Sequence, residues 1–167
     1  AEVEDLVLGC AMPEAEQGMN VARGVGIGAG LPSEVPAMTV NRFCASGVQA
    51  LAIVADRITA GQIDVGVAGG LESMSLIPMG GNKISLNPGL VEHHPELYTP
   101  MGVTAENVAR RFEVSRADQD AFALRSHQRA TTAQREGRFN DELLAVDTRI
   151  FDETGRARAL KVTQDEG

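Results

Sequence analysis

Hydrophobic residues in the first part of the chain fall into short continuous runs separated by stretches with helical spacing. The run Leu6–Ala11 is apolar throughout, which predicts a buried strand. A helix is expected over residues 20–29, because Asn20 can cap its start and glycine and proline follow its end. The segment Pro36–Arg42 predicts a second strand. The chain therefore opens with a strand, a helix and another strand.

The apolar period changes from Cys44 onward. Apolar residues then recur at intervals of three and four, which predicts a helix with one apolar face, ended by Gly61. That face consists of Val48, Leu51, Ala55 and Ile58. Small apolar residues over 64–70 predict the next buried strand. Strand, helix and strand across residues 36–70 form a βαβ unit with parallel strands, so we expect an α/β fold.

The pattern becomes irregular after Met74. Residues 75–100 are interrupted by proline and glycine and have no clear period. We therefore expect a domain boundary near residue 76, followed by an α+β domain. Its predicted elements are a helix from Thr104 to Phe112, a long helix opened by Ser115 with Asp118 and ended by Gly137, and a β-hairpin over residues 143–162.

Charge and composition exclude several classes of function. The net charge of −8 argues against nucleic acid, and no apolar run approaches the roughly 20 residues that span a membrane. Two cysteines are too few for a disulfide framework, so we expect a cytoplasmic protein. The three histidines lack partners at metal-ligand spacing, so we expect no metal. Eleven of the 15 basic residues lie between Arg110 and Lys161, which suits either a phosphorylated ligand or a solvated helix face.

Cys44 is the main candidate for chemistry. It falls where a predicted strand gives way to a helix, and a helix N-terminus offers unsatisfied N–H groups and a partial positive charge. Both favour a thiolate nucleophile, and the same N–H groups can stabilise an oxyanion. A buried structural cysteine is the alternative, and position alone does not separate the two. Cys10 lies inside an apolar run and is expected to be structural.

The segment around Cys44 also resembles a known family. Residues 41–47, Asn-Arg-Phe-Cys-Ala-Ser-Gly, are similar to the nucleophile signature of the thiolases. Four more segments resemble thiolase motifs in the family's order: Gln17–Arg23, Ala68–Ser75, Met101–Ala109 and Ser115–Ala123. The resemblance implies a partial thiolase-like layered α/β core in residues 1–75 that carries the nucleophile. It also implies that residues 76–167 are an incomplete loop domain that covers the substrate.

The resemblance further implies a reaction. In thiolases the cysteine that matches Cys44 attacks a 3-ketoacyl-CoA, releases acetyl-CoA and keeps the shortened acyl group as a thioester, which free coenzyme A then collects. Coenzyme A is a co-substrate, and no cofactor is bound permanently. Met101 matches the segment that borders the acyl group, which implies a substrate-binding role. The family's His, Asn and second Cys motifs do not occur in these residues, so we expect a chain truncated at both ends and inactive by itself.

Assembly and direction of reaction are implied less specifically. Thiolases associate as homodimers or tetramers, with the strand that matches residues 36–42 at the two-fold interface, and a fatty-acid-oxidation complex is a further expected partner. Pro100 stands where biosynthetic acetoacetyl-CoA enzymes often carry His, and residues 80–98 depart from their tetramer-forming loop. Both departures favour a degradative 3-ketoacyl-CoA thiolase. The alternatives are a biosynthetic acetoacetyl-CoA thiolase, a 3-ketoacyl-ACP synthase, and a non-catalytic scaffold or partner-binding domain with a vestigial cysteine.

Overall fold

Three parallel strands form the sheet of the first half of the computed structural model, which describes residues 2–166. They are β1 (Asp5–Gly9), β2 (Ala37–Val40) and β3 (Gly66–Gly70). β1 is the central strand and pairs in parallel with both neighbours, and all five of its residues are buried. The predicted parallel α/β arrangement is confirmed. The strands of the predicted βαβ unit, β2 and β3, are nevertheless not adjacent, because β1 lies between them.

Helices cover both faces of this sheet. Helix α1 (Val21–Gly28) is capped as predicted by Asn20, whose side chain accepts a hydrogen bond from the backbone N–H of Arg23 at 3.4 Å. Helix α2 (Ser46–Thr59) follows β2. Alternate residues of β1 serve the two faces, as the period of a strand requires. The buried cluster on the α1 side is Leu6, Leu8 and Ala22, and the cluster on the α2 side is Val7, Ala50, Val54 and Ile63.

The apolar face identified in the sequence of α2 is not the face that packs against the sheet. The helix turns Ser46, Ala50 and Val54 inward, whereas Val48 is 71% exposed and Leu51 58% exposed. A helix can carry apolar residues on two sides, and periodicity does not say which side meets the sheet. The side that includes Ala50 and Val54 packs against Val7 of β1, and Val48 and Leu51 lie away from it.

The first unit extends further than the expected boundary near residue 76. The chain forms two compact units, one that runs to Pro88 and one that begins at Gly89. Ile77 is only 1% exposed, and the Glu14 carboxylate accepts a hydrogen bond from the backbone N–H of Asn82. Proline and glycine in this stretch therefore mark irregular backbone, but not a loss of contact with the core.

The second unit contains helices followed by a hairpin. Its elements are α3 (Pro88–His93, which starts at the boundary), a 3₁₀ helix (Pro95–Tyr98), α4 (Met101–Arg111), α5 (Arg116–Arg135), β4 (Val146–Phe151) and β5 (Ala157–Val162). The hairpin was predicted, and so was the cap of α5, where Ser115 Oγ accepts from the Asp118 N–H at 3.1 Å. The first two short helices lie in a stretch expected to be irregular. Helix α4 starts at Met101, not at Thr104, because Pro100 accepts the first helical hydrogen bond from the Thr104 N–H at 3.0 Å.

Candidate active site

Cys44 lies in a tight turn between β2 and α2. The turn, which we call the nucleophile turn, comprises residues 41–46, and Ala45 occupies the N-cap of the helix. Phe43 has a positive φ of +48°, a left-handed conformation that is uncommon for a residue with a bulky side chain. This reversal leaves Cys44 exposed, whereas Cys10 is buried. Of the two cysteines, Cys44 is therefore the one within reach of a substrate.

Hydrogen bonds within the nucleophile turn fix its shape. The Ala45 N–H donates to the Arg42 carbonyl at 3.1 Å, and the Ser46 N–H donates to the Phe43 carbonyl at 3.0 Å. The buried Ser46 hydroxyl donates to the Phe43 carbonyl at 2.6 Å and accepts from the Arg42 N–H at 2.9 Å. The N–H groups of Ala45 and Ser46 are thus used inside the turn. The role of the remaining N–H groups at the start of the helix as oxyanion donors stays a prediction.

Asn41 joins the nucleophile turn to the loop that follows β1. Its side-chain amide donates to the Ala11 carbonyl at 3.0 Å. Its side-chain oxygen accepts from the Phe43 N–H at 2.9 Å. The Asn41 side chain therefore binds both Phe43, which has the left-handed backbone, and the loop that follows β1.

Glycines form the floor under the start of α2. A Cβ added to Gly9, the last residue of β1, would lie 2.4 Å from the carbonyl carbon of Ser46 and 2.6 Å from the nitrogen of Gly47. A Cβ on Gly70, the last residue of β3, would lie 3.7 Å from the Cα of Gly47. Contacts under 3.0 Å require something to move, so only glycine at position 9 lets the helix start rest on the strand.

Glu72 and Gln17 form a polar cluster beside this floor. The Glu72 carboxylate accepts from the N–H of Ala11 at 2.6 Å, from the N–H of Met12 at 3.3 Å and from the Gln17 side-chain amide at 2.6 Å. Gln17 is only 3% exposed; it also donates to the Met12 carbonyl at 3.0 Å and accepts from the Ser73 N–H. Every polar atom of the Gln17 side chain is therefore satisfied. The cluster ties the loop after β1 to the residues after β3.

The electrostatics of this cluster act on the Cys10 thiol. Burial acts to raise the pKa of Glu72, but hydrogen bonds from the Ala11 N–H, the Gln17 amide and the Met12 N–H outweigh it and hold that pKa below its ordinary value. Burial, followed by the negative charge of Glu72, raises the pKa of the Cys10 thiol. Cys10 is therefore disfavoured as a thiolate, and its buried thiol donates a hydrogen bond to the Glu72 carboxylate at 3.9 Å.

Sequence reasoning did not single out Glu72 or Gln17. Both lie inside segments that resemble family motifs, Gln17–Arg23 and Ala68–Ser75, and that signal could have marked them as candidates. Met101, the predicted substrate-binding residue, is the first residue of α4 in the second unit and is 71% exposed. The structure brings Asn41, Glu72 and the nucleophile turn together within the first unit. The role of Met101 stays a prediction.

Among residues 2–166, no three His, Cys, Asp or Glu side chains come together in a group that could hold a metal ion. Over the same residues, no helix is both long and apolar enough to cross a membrane.

Comparison with known proteins identifies the family. The family model of the thiolase N-terminal domain matches residues 1–167 of the sequence. The chain belongs to the thiolase family. It is 50% identical to a 3-ketoacyl-CoA thiolase of Bacillus subtilis (strain 168), over 99% of this chain and 43% of that protein. It is 44% identical to peroxisomal 3-ketoacyl-CoA thiolase 1 of Arabidopsis thaliana, over 100% of this chain and 38% of that protein.

Solved structures agree with the sequence relatives. The dimeric peroxisomal thiolase of Saccharomyces cerevisiae matches with a TM-score of 0.77 and 34% identity, over 99% of this chain and 41% of the yeast chain. The acetyl-CoA acetyltransferase of Bacillus anthracis matches with a TM-score of 0.75 and 32% identity, over 99% of this chain and 43% of that chain. The chain thus spans about two fifths of the length of its relatives.

Proposed function

We propose that the protein is part of a 3-ketoacyl-CoA thiolase and that Cys44 is its acyl-accepting nucleophile. The observation that carries this proposal is that Cys44 is exposed in the nucleophile turn. Asn41 ties one end of that turn to the loop after β1, and the other end rests on Gly9. A preorganised nucleophile of this kind is what covalent acyl transfer requires. The names of the relatives from Bacillus subtilis and Arabidopsis thaliana support the same reaction class.

The proposed reaction has two half-reactions. The Cys44 thiolate attacks the C3 carbonyl of a 3-ketoacyl-CoA, and the resulting tetrahedral adduct collapses with cleavage of the C2–C3 bond. The electron pair of that bond passes to the acetyl-CoA fragment, which takes up one proton and leaves. The thiol of a second coenzyme A then loses its proton and attacks the Cys44 thioester. This step gives the shortened acyl-CoA and regenerates the thiolate.

This chemistry needs groups that donate and accept protons as well as a nucleophile. In residues 2–166, Cys44 Sγ has no hydrogen bond to a histidine, carboxylate or other base. The family's remaining catalytic motifs are also absent from residues 1–167. We therefore propose that these 167 residues accept an acyl group but do not turn over. Met101 is proposed to border the acyl chain in the complete site.

The degradative reaction is preferred over the biosynthetic one because of Pro100, which precedes Met101 where a histidine is often found in acetoacetyl-CoA enzymes. The relative from Bacillus anthracis is named an acetyl-CoA acetyltransferase, so the biosynthetic reading is retained as the second candidate. Rates of acylation of Cys44 by acetoacetyl-CoA and by 3-ketooctanoyl-CoA, measured without free coenzyme A, distinguish them. Faster acylation by the eight-carbon substrate supports the degradative reaction, and acylation by acetoacetyl-CoA alone contradicts it.

The proposal extends to assembly and location. We propose a homodimer, since the yeast relative is described as dimeric, and a cytoplasmic location, since both cysteines are free. Coenzyme A and its thioesters are the proposed ligands. A fatty-acid-oxidation complex as partner remains a prediction from resemblance.

A further inference from the structure

We propose that Glu72 is a positioning residue for Cys44, acting through the loop of residues 10–12 and through Asn41. The inference rests on the proposed function, because it assigns Glu72 a part in readying that nucleophile. Glu72 does not contact Cys44 in the structure. Glu72 and Asn41 instead form hydrogen bonds to the same peptide group, and through this group Glu72 acts on Cys44.

The shared group is the peptide that joins Ala11 to Met12. Its N–H belongs to Met12 and donates to the Glu72 carboxylate at 3.3 Å. Its carbonyl belongs to Ala11 and accepts from the Asn41 side chain at 3.0 Å. In a trans peptide these two groups point in opposite directions, and the structure contains no cis peptide among the described residues. Glu72 on one side therefore orients the carbonyl that Asn41 needs on the other.

The Glu72 carboxylate also strengthens the hydrogen bond from the Asn41 side chain to the Ala11 carbonyl. An N–H that donates to a charged acceptor polarises its peptide, which makes the attached carbonyl a better acceptor. Asn41 is then held by the Ala11 carbonyl and presents its side-chain oxygen to the Phe43 N–H at 2.9 Å. That bond supports the left-handed φ of +48° at Phe43, which precedes Cys44. This series of hydrogen bonds thus ends at Phe43, whose backbone conformation orients Cys44.

Gln17 makes the path rigid. Its amide group donates to both the Glu72 carboxylate and the Met12 carbonyl, and it is buried. The second oxygen of Glu72 also accepts from the Ala11 N–H at 2.6 Å. Among the described residues, no Lys, Arg or His forms an ion pair with Glu72. The charge of Glu72 is therefore stabilised by hydrogen bonds, among them those from the Ala11 and Met12 N–H groups that it positions.

The chain offers a matched control. The Glu4 carboxylate also accepts two backbone N–H groups, those of Asp64 and Val65, and its pKa is likewise held below its ordinary value by those bonds. It does so beside the first residues of β1 and β3, whereas Glu72 acts beside their last residues. Removal of Glu4 therefore removes the same kind of clamp at the end of the sheet away from the nucleophile turn.

The experiment is alkylation of Cys44 by iodoacetamide at fixed pH, with the modified cysteine located by peptide mapping. We expect Glu72→Ala to lower the rate at Cys44 about tenfold and Glu4→Ala to change it less than about twofold, because the geometry of a nucleophile is sensitive to small displacements. An unchanged rate in Glu72→Ala overturns the inference, and so does an equal loss in Glu4→Ala. If Glu72→Ala does not fold by circular dichroism, Glu72→Gln replaces it. That variant keeps one acceptor oxygen, and its expected loss is about threefold.

A double-mutant comparison tests the path itself. If Glu72 acts through Asn41, then Asn41→Ala removes the link, and adding Glu72→Ala causes no further loss of alkylation rate. Losses that multiply in the double variant overturn the path. Alkylation needs no acyl-CoA, so this result stands apart from the proposed function. Failure of acyl transfer together with a Glu72-dependent alkylation rate would reject the reaction and leave the positioning role in place.

Discussion

The carbonyl carbon of Ser46 lies 2.4 Å from the point where a Cβ on Gly9 would stand. The last residue of the central strand and the first residue of α2 are therefore in direct backbone contact. This contact sets the height of the nucleophile turn above the sheet. It also makes position 9 sensitive to the smallest possible side chain.

Gly9→Ala is therefore expected to displace the start of α2. Overpacking of this kind costs about 1–3 kcal/mol of unfolding free energy, and here it also moves Cys44. We expect both the free energy of unfolding, measured in urea, and the rate of Cys44 alkylation to fall. Gly24→Ala is the matched control, because a Cβ on Gly24 in α1 meets nothing within 4 Å. We expect that variant to gain up to about 1 kcal/mol from helix propensity.

Phe43 provides a test of the strained backbone. At its φ of +48°, glycine is tolerated and a β-branched residue is not. Phe43→Val is expected to be less stable than Phe43→Gly by about 1–2 kcal/mol, the cost of the left-handed conformation. Since Phe43 is 66% exposed, loss of its ring contributes little to the comparison. Equal unfolding free energies of the two variants would contradict a left-handed residue at this position.

The ion pair between Asp5 and Arg57 is expected to support the sheet. The Asp5 side chain is 1% exposed and that of Arg57 31% exposed, and Asp5 also accepts from the Leu6 N–H at 2.9 Å. Arg57→Ala leaves a buried carboxylate without its charged partner, at a cost of about 3 kcal/mol in urea unfolding. Arg116→Ala, which breaks an exposed pair with Asp120, should cost less than about 0.5 kcal/mol. Equal losses of unfolding free energy in the two variants would contradict a larger contribution from the buried Asp5 pair.

The lowered pKa of Glu72 predicts a pH dependence with a defined sign. A carboxylate whose pKa is lower in the folded protein than in the unfolded chain stabilises the fold above the ordinary pKa, and that contribution is lost as the pH falls through the folded value. The urea midpoint of Glu72→Gln should therefore lie below that of the unmodified protein at pH 7. The difference should begin to shrink as the pH falls below the ordinary carboxyl pKa of about 4.3, where the unfolded chain takes up the proton first, and it is lost once the folded carboxylate is protonated as well. A difference that stays constant down to pH 3 would contradict this.

Much of the fold could be predicted from local signals. Continuous apolar runs gave the strands, and Asn20 and Ser115 gave two helix starts, because each signal acts within a few residues. The inward face of α2 could not be predicted, since the choice between the Ala50 side and the Leu51 side depends on what packs against the helix. The first compact unit runs to Pro88 and includes the buried Ile77, a tertiary contact that composition does not record, and the domain boundary expected near residue 76 stays a prediction.

The candidate site was predictable to a similar extent. Cys44 was selected from the sequence because its place at the end of a strand suits a nucleophile and because the segment around it resembles the thiolase signature; its role as nucleophile stays a proposal. Glu72 was missed, because its importance lies in three hydrogen bonds to groups 55–61 positions away in the sequence. The positive φ of Phe43 was missed for a related reason: bulky residues rarely adopt it, and only the surrounding bonds enforce it.

The account depends most directly on where an acyl group is attached. The protein is mixed with a 3-ketoacyl-CoA without free coenzyme A, quenched in acid, and the acylated peptide is identified by mass spectrometry. The account predicts a thioester on Cys44, retained in Cys10→Ala and absent in Cys44→Ala. An acyl group on Cys10, or no acylation of a folded protein whose Cys44 still reacts with iodoacetamide, would contradict it.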